Sequence, residues 1–160
     1  MLIAVISDTH RVNKYINLAK NVIKDADILI HLGDNIEDVD ILKDGFDGEV
    51  YAVAGNCDFS AKYPKEGMIE INGRKIFYTH GDLYGVKTTI NNIYYRGREL
   101  GADVVLFGHT HEHGIERTED LILMNPGSVS LPRSGGRYVG IIDIDDNGEV
   151  DTYLREVREK

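Results

Sequence analysis

Cysteine is almost missing from this chain of 160 residues: a single one, Cys57, excludes an internal disulfide framework. Long apolar runs are missing too, and no stretch approaches the roughly 20 residues that a membrane-spanning helix needs. The N-terminus lacks the basic region, long apolar segment and cleavage site of a secretory signal. The expectation is therefore a cytoplasmic protein with no membrane partner. Positive charge is in deficit, with 18 Lys and Arg against 27 Asp and Glu, for a formal net charge of −9. Binding to long nucleic acid draws most of its affinity from clustered Lys and Arg, so this balance argues against it. No linker, repeat or low-complexity tract interrupts the chain, and its length suits one domain over residues 1–160 with a single core.

What the chain does contain is a series of apolar strand patterns that stop abruptly at small and polar residues. Leu2 to Ile6 ends in Ser7-Asp8-Thr9-His10, and Ile28 to Ile30 ends in His31-Leu32-Gly33-Asp34-Asn35. Val50 to Ala54 ends in Gly55-Asn56-Cys57-Asp58, Ile76 to Tyr78 in Thr79-His80-Gly81-Asp82, and Leu106-Phe107 in Gly108-His109-Thr110-His111. In extended backbone, side chains two apart share a face, so His109 and His111 are expected to aim into one small volume. Imidazole, carboxylate and amide are the donors that divalent metal ions accept.

The first strand is apolar on both faces, as an interior strand is. Asn13 is placed to cap a helix over about 14–24, whose Ile16, Ala19, Val22 and Ile23 recur at helical spacing. The next strand, 27–30, then runs parallel to the first and brings Asp34 to the same edge as Asp8, the edge at which open parallel sheets bind ligands. A short acidic helix over 36–43 and a strand over 49–54 follow. Beyond them the alternation of 68–71 and 74–79 about Asn72-Gly73 predicts a hairpin. A helical stripe spans 88–100, a return strand 103–107, and the last third reads as strands at 121–124, 138–144 and 149–157. Tyr94 and Tyr95 either mark a contact between copies in a homo-oligomer or cover the core.

Taken in order and spacing, Asp8-Thr9-His10, Gly33-Asp34, Gly55-Asn56-Cys57-Asp58, Thr79-His80-Gly81 and Gly108-His109-Thr110-His111 resemble the calcineurin-like metallophosphoesterase superfamily, and within it the small YfcE-type phosphodiesterases. The late stretch Asn125-Pro126-Gly127-Ser128 resembles theirs as well. The resemblance implies a four-layer α/β/β/α sandwich, two mixed sheets flanked by helices, with a dinuclear metal site on one edge. It implies that Asp8, His10 and His111 hold one ion, that Asn56, His80 and His109 hold the other, and that Asp34 bridges them. The catalytic roles within the set fall to Asp34, Asn56 and His109.

Such a donor mixture suits Mn²⁺ first, with Fe²⁺, Zn²⁺ and Ni²⁺ as alternatives, whereas Mg²⁺ and Ca²⁺ prefer more oxygen. The implied activity is hydrolysis of small or aryl phosphodiesters, with a metal-bridging hydroxide attacking phosphorus. Two departures stand out. Cys57 occupies the position where much of the superfamily has a His that touches substrate, and a thiol is the poorer donor, which predicts a preference for activated leaving groups. Position 82 is Asp where relatives commonly show His. Two other functions compete: a non-catalytic protein-binding scaffold of the Vps29 type, and a nuclease or nucleotide hydrolase using the same chemistry.

Overall fold

The computed structural model describes residues 1–59 and 62–159. Among the described residues, ten strands and three α-helices follow one another: β1 (Leu2–Ile6), α1 (Asn13–Ile23), β2 (Ile28–His31), α2 (Asp38–Lys43), β3 (Glu49–Ala52), β4 (Glu66–Ile71), β5 (Arg74–Thr79), α3 (Asn91–Glu99), β6 (Val104–Leu106), β7 (Gly114–Arg117), β8 (Ile122–Asn125), β9 (Tyr138–Ile144) and β10 (Val150–Glu156). They build two five-stranded mixed sheets, ordered β10-β9-β1-β2-β3 and β4-β5-β6-β8-β7. β1, β2 and β3 are mutually parallel, as are β5, β6 and β8. Both sets therefore point their C-terminal ends out of the sheets.

The alternation of side chains along each strand assigns the layers. Ile3 and Val5 of β1, Ile28 and Ile30 of β2, Ile76 and Tyr78 of β5, and Val104 and Leu106 of β6 pack together between the sheets. The alternate residues face outward. Ala4, Ile6 and Leu29 receive Ile16, Ala19 and Ile23 of α1, while Phe77 and Val105 receive Ile93 of α3. The result is the four-layer α/β/β/α arrangement expected above. Burying each such aliphatic side chain contributes about 1.5–3 kcal/mol, so the inter-sheet layer is the main clamp that holds the two strand edges side by side.

Several local expectations need correction. Asn13 is the first residue of α1, not its cap: Val12 holds the cap position and no side chain satisfies the helix end. α3 begins at Asn91 instead of position 88, because Thr88 and Thr89 turn back on Gly85 through backbone hydrogen bonds. Strand β7 was not expected at all. Its sequence, Gly-Ile-Glu-Arg, offers one apolar residue, and as an edge strand it needs no more. The 72–73 hairpin forms as read, with Asn72 at φ 49° and Gly73 at φ 82°, the left-handed pair that a tight primed turn requires. Among the described residues, no helix is long and apolar enough to cross a membrane.

Candidate metal centre

The parallel ladder continues past the strand ends and carries the exit loops with it. Leu32 N–H donates to the Ile6 carbonyl at 2.9 Å and Asp8 N–H to the Gly33 carbonyl at 3.0 Å. Gly108 N–H donates to the His80 carbonyl at 2.8 Å, which ties the β6 exit to the β5 exit. The two edges then meet: His109 N–H donates to Asp8 Oδ2 at 3.1 Å, and His80 Nδ1 donates to the Leu32 carbonyl at 2.7 Å. At that seam no Cβ fits on Gly55 or Gly108, since it would overlap the carboxylate of Asp34 in the first case and Ser7 with Asp8 in the second.

All seven expected residues come to this seam. Asp8, His10, Asp34 and His111 form one group whose donor atoms lie within 4.8 Å of one another. His111 Nε2 is 3.2 Å from Asp8 Oδ1 and 3.2 Å from His10 Nε2, and His10 Nε2 is 3.8 Å from Asp34 Oδ2. Beside it, His80 Nε2 is 3.0 Å from Asn56 Oδ1, 3.1 Å from His109 Nδ1 and 3.5 Å from Asp34 Oδ1. The two oxygens of Asp34 thus face different groups. His109 and His111 do not share one small volume as expected, because neither is extended: with φ of 70° and 60° they turn to opposite groups.

The hydrogen bonds fix which ring nitrogens are free. A carbonyl only accepts, so His80 Nδ1 and His111 Nδ1, held by the carbonyls of Leu32 and Leu131, carry protons. In the neutral rings, Nε2 of each is then a bare lone pair, and each faces acceptors: Asn56 and Asp34 oxygens for His80, Asp8 for His111. Lone pairs set against lone pairs repel unless a proton or a cation lies between them. Asp8 Oδ1, fully buried, has no hydrogen-bond partner at all, and a buried carboxylate oxygen without a donor is costly. The donor set around Asp8 therefore fits a divalent cation.

Electrostatics within the cluster agree. Burial opposes ionisation of Asp8, yet the adjacent imidazoles of His10, His111 and His80, with the Ser7 hydroxyl, hold its carboxyl below the usual range. His10 is pushed up by the neighbouring Asp8 carboxylate, and His109 is pushed down by burial and by His80. Protons and metal ions compete for these lone pairs. The backbone is unusual here as well. Among the described residues, eight that are not glycine have positive φ, and five of them are Asp8, His10, Asp34, His109 and His111. Such conformations cost of order 1–3 kcal/mol each and collect at functional sites.

Other residues of the same motifs support the site. Asp58 accepts backbone N–H bonds from Asp34 at 2.8 Å, Gly55 at 2.8 Å and Ile36 at 3.0 Å, lashing the β2 and β3 exits together. Ser7 donates to Asp8 Oδ2, and Ser128 donates to the Asp8 carbonyl at 2.7 Å. Asn125 Nδ2 supports the β6 exit at Thr110 Oγ1, 2.8 Å away. Arg11 points elsewhere, paired with exposed Glu37, and His113 bonds Ser134 outside the cluster. The thiol of exposed Cys57 is pushed up by partial burial and by Asp34, so it stays protonated near neutrality.

His31 lies beneath the site as a fully buried neutral ring, its Nδ1 accepting from Gly33 N–H at 3.1 Å and its Nε2 3.1 Å from Thr9 Oγ1. Burial pushes it down from 6.5 to about 4. Between those values the unfolded chain binds the extra proton, so this contribution is complete above about 6.5 and is lost as pH falls toward 4. The loss reaches about 3 kcal/mol at 1.36 kcal/mol per pKa unit. Urea unfolding of metal-free protein at successive pH values should show His31→Gln lacking this share of the acid sensitivity; parallel pH profiles for the two proteins would refute it.

The family model for the calcineurin-like phosphoesterase superfamily domain matches residues 1–147, and the chain belongs to that superfamily. It is a metallophosphoesterase, a hydrolase of phosphoric esters. The chain is 41% identical over 135 residues to the probable metallophosphoesterase YsnB of Bacillus subtilis, covering 83% of this chain and 78% of that one. To the phosphodiesterase YfcE of Escherichia coli K12 it is 32% identical over 109 residues, covering 61% and 54%. The crystal structure of wild-type Vps29 from Entamoeba histolytica, complexed with Zn²⁺, superposes with a TM-score of 0.77 over 99% of this chain and 100% of that one. At 20% identity that likeness speaks for the fold alone.

Proposed function

We propose that the chain, acting as one domain, is a dinuclear-metal-dependent phosphodiesterase for small or aryl phosphodiesters. The observation that carries this reading is the facing of lone pairs in two adjacent groups, with Asp8 Oδ1 left without any donor. Asp8, His10 and His111 would hold one divalent ion, Asn56, His80 and His109 the other, and Asp34 both. When bound, such a pair supplies a water of lowered pKa and a clamp on the phosphoryl oxygens. Mn²⁺ suits the donor set best, with Fe²⁺, Zn²⁺ and Ni²⁺ close behind.

The protein's own contribution is positioning. The Leu32 and Leu131 carbonyls fix two imidazole tautomers and aim their lone pairs, as partners behind metal ligands do. Asp34 is held by Asp58 at its N–H and by Cys57 N–H at Oδ1, 3.0 Å away. No strong acid stands at position 57, so leaving groups that need no proton, such as aryl alcohols, are favoured. Large apolar side chains on these exit loops are exposed: Phe59, Leu83 and Leu131, at 98%, 59% and 51%, directly follow Asp58, Asp82 and Ser130.

A double Phe59→Ser, Leu83→Ser variant should raise KM for an aryl diester about five- to tenfold, roughly 1–1.4 kcal/mol, with metal binding and turnover of a dialkyl diester unchanged. An equal loss on both substrates would contradict that role. The reading as a whole is tested by hydrolysis of bis(p-nitrophenyl) phosphate and p-nitrophenyl phosphate before chelation, after it, and with Mn²⁺ restored. Diester turnover should be the faster, vanish on chelation and return with metal. The competing scaffold reading draws on the Vps29-like fold and the same apolar rim, and it predicts no turnover under any metal.

A further inference from the structure

The outer face of the second sheet is covered unevenly. α3 packs Ile93 against Phe77, Val105 and Leu123, but toward the edge strand β7 the face opens into a cavity of about 270 Å³. Register explains the opening. Gly114 pairs with Asn125 and Glu116 with Leu123, so β7 presents a glycine and then a glutamate on the side where β8 presents Asn125 and Leu123. A Cβ at Gly114 would meet nothing within 4 Å.

The floor is apolar, made by Val86, Phe107 and Leu123, all buried. At the mouth stand Glu112 and Glu116, both exposed, and the lining contains no lysine or arginine. His113, the one other titratable side chain in the wall, has its Nδ1 2.9 Å from Ser134 Oγ and its ring 4.4 Å from that of Tyr138. Within the lining the two carboxylates are the full charges, and the exposed cation next to it in sequence is Lys87, after Val86.

The remaining wall is the loop that carries two proposed ligands. Thr110 lines the cavity while its neighbours His109 and His111 face the metal cluster. Thr110 Oγ1 accepts from Asn125 Nδ2 at 2.8 Å and from Glu112 N–H at 3.1 Å, and Asn125 Nδ2 also reaches the Gly108 carbonyl at 3.3 Å. Whatever fills the cavity touches the struts of that loop.

We propose that this cavity is a second ligand site, for a small compound with an apolar body and an ammonium group, and that its occupancy is felt at the metal loop through Asn125 and Thr110. The apolar floor takes the body and the two glutamates take the charge. Binding itself does not depend on the esterase reading, whereas its transmission to the loop rests on the metal-site reading. The site differs from the metal cluster in sign: it attracts a cation with an organic body and repels the anions that the metal centre would draw.

The probes are benzylamine, benzyl alcohol and benzoate, similar in size and differing in charge, titrated into the full chain at pH 7 and followed by amide chemical shifts. The amides of Thr110, Gly114 and Asn125 should move, with benzylamine about tenfold tighter than benzyl alcohol, the size of one partly screened ion contact, and benzoate weakest. A Glu112→Gln, Glu116→Gln double variant should bring amine and alcohol within about twofold, and Gly114→Leu should abolish both. Equal affinity for all three probes, or an amine preference that survives the double variant, would overturn the ligand class. Should Gly114→Leu fail to fold, the glutamine pair still decides, since both glutamates lie at the surface. Saturating benzylamine should change the calorimetric Kd for Mn²⁺ about threefold or more, as linkage requires. If Mn²⁺ binds with an unaltered Kd, the coupling is wrong; if Mn²⁺ does not bind at all, the metal-site reading fails while the cavity result stands.

Discussion

Asp34→Asn should abolish phosphodiester hydrolysis, by at least about 1,000-fold or roughly 4 kcal/mol of barrier, and weaken both metal ions together. Asp34 Oδ2 faces His10 at 3.8 Å and Oδ1 faces His80 at 3.5 Å. An amide keeps the shape but offers only one oxygen and no charge, so one of the two groups receives an N–H where it needs a lone pair. His111→Ala is the control, because of the two groups that ring faces the one around Asp8. It should remove mainly one ion. The two variants, compared by metal analysis and by turnover, separate a shared ligand from a private one; an Asp34→Asn protein that keeps full metal content would contradict the assignment.

Asp58→Ala should produce the largest loss of stability among single changes near the site. Its buried carboxylate satisfies three backbone N–H groups, those of Asp34, Ile36 and Gly55. Leaving a buried donor unsatisfied costs about 1–3 kcal/mol, and partial water entry brings the expected total to about 3–5 kcal/mol. That is a large share of the roughly 5–15 kcal/mol that holds a domain together. Asp58→Asn, which keeps one acceptor, should fall between. Urea unfolding measures the cost directly, and an Asp58→Ala protein within about 1 kcal/mol of the parent would show that these bonds do not hold the β2 and β3 exits.

The candidate site was legible as a cluster because its donor residues follow apolar strands directly. Asp8 and His10 trail β1, Asp34 trails β2, Asn56 trails β3, His80 trails β5, and the His109–His111 pair trails β6. Parallel strands deliver all such exits to one edge, so strand direction alone converts a pattern of separated motifs into a cluster. Handedness was not legible. Outside an Asn-Gly turn such as 72–73, residues with positive φ carry no clear mark in sequence, and the left-handed turns at His109 and His111 divide between two groups a pair that extended backbone would have aimed together. The role of Asp58 escaped for a different reason: two of its three donors lie 22 and 24 residues away, and only the packing of two exit loops brings them to it. β7 escaped because an edge strand buries little. The cavity beside it, bounded by Gly114 and Glu116, was equally invisible.

The central claim is that these side chains hold two cations around one shared carboxylate. Metal content per chain, measured after loading with Mn²⁺ and removing the excess, tests it most directly. Two equivalents for the parent, about one for His111→Ala and a loss of both for Asp34→Asn is the predicted result. A single equivalent in the parent, or two that survive the loss of Asp34, would contradict it.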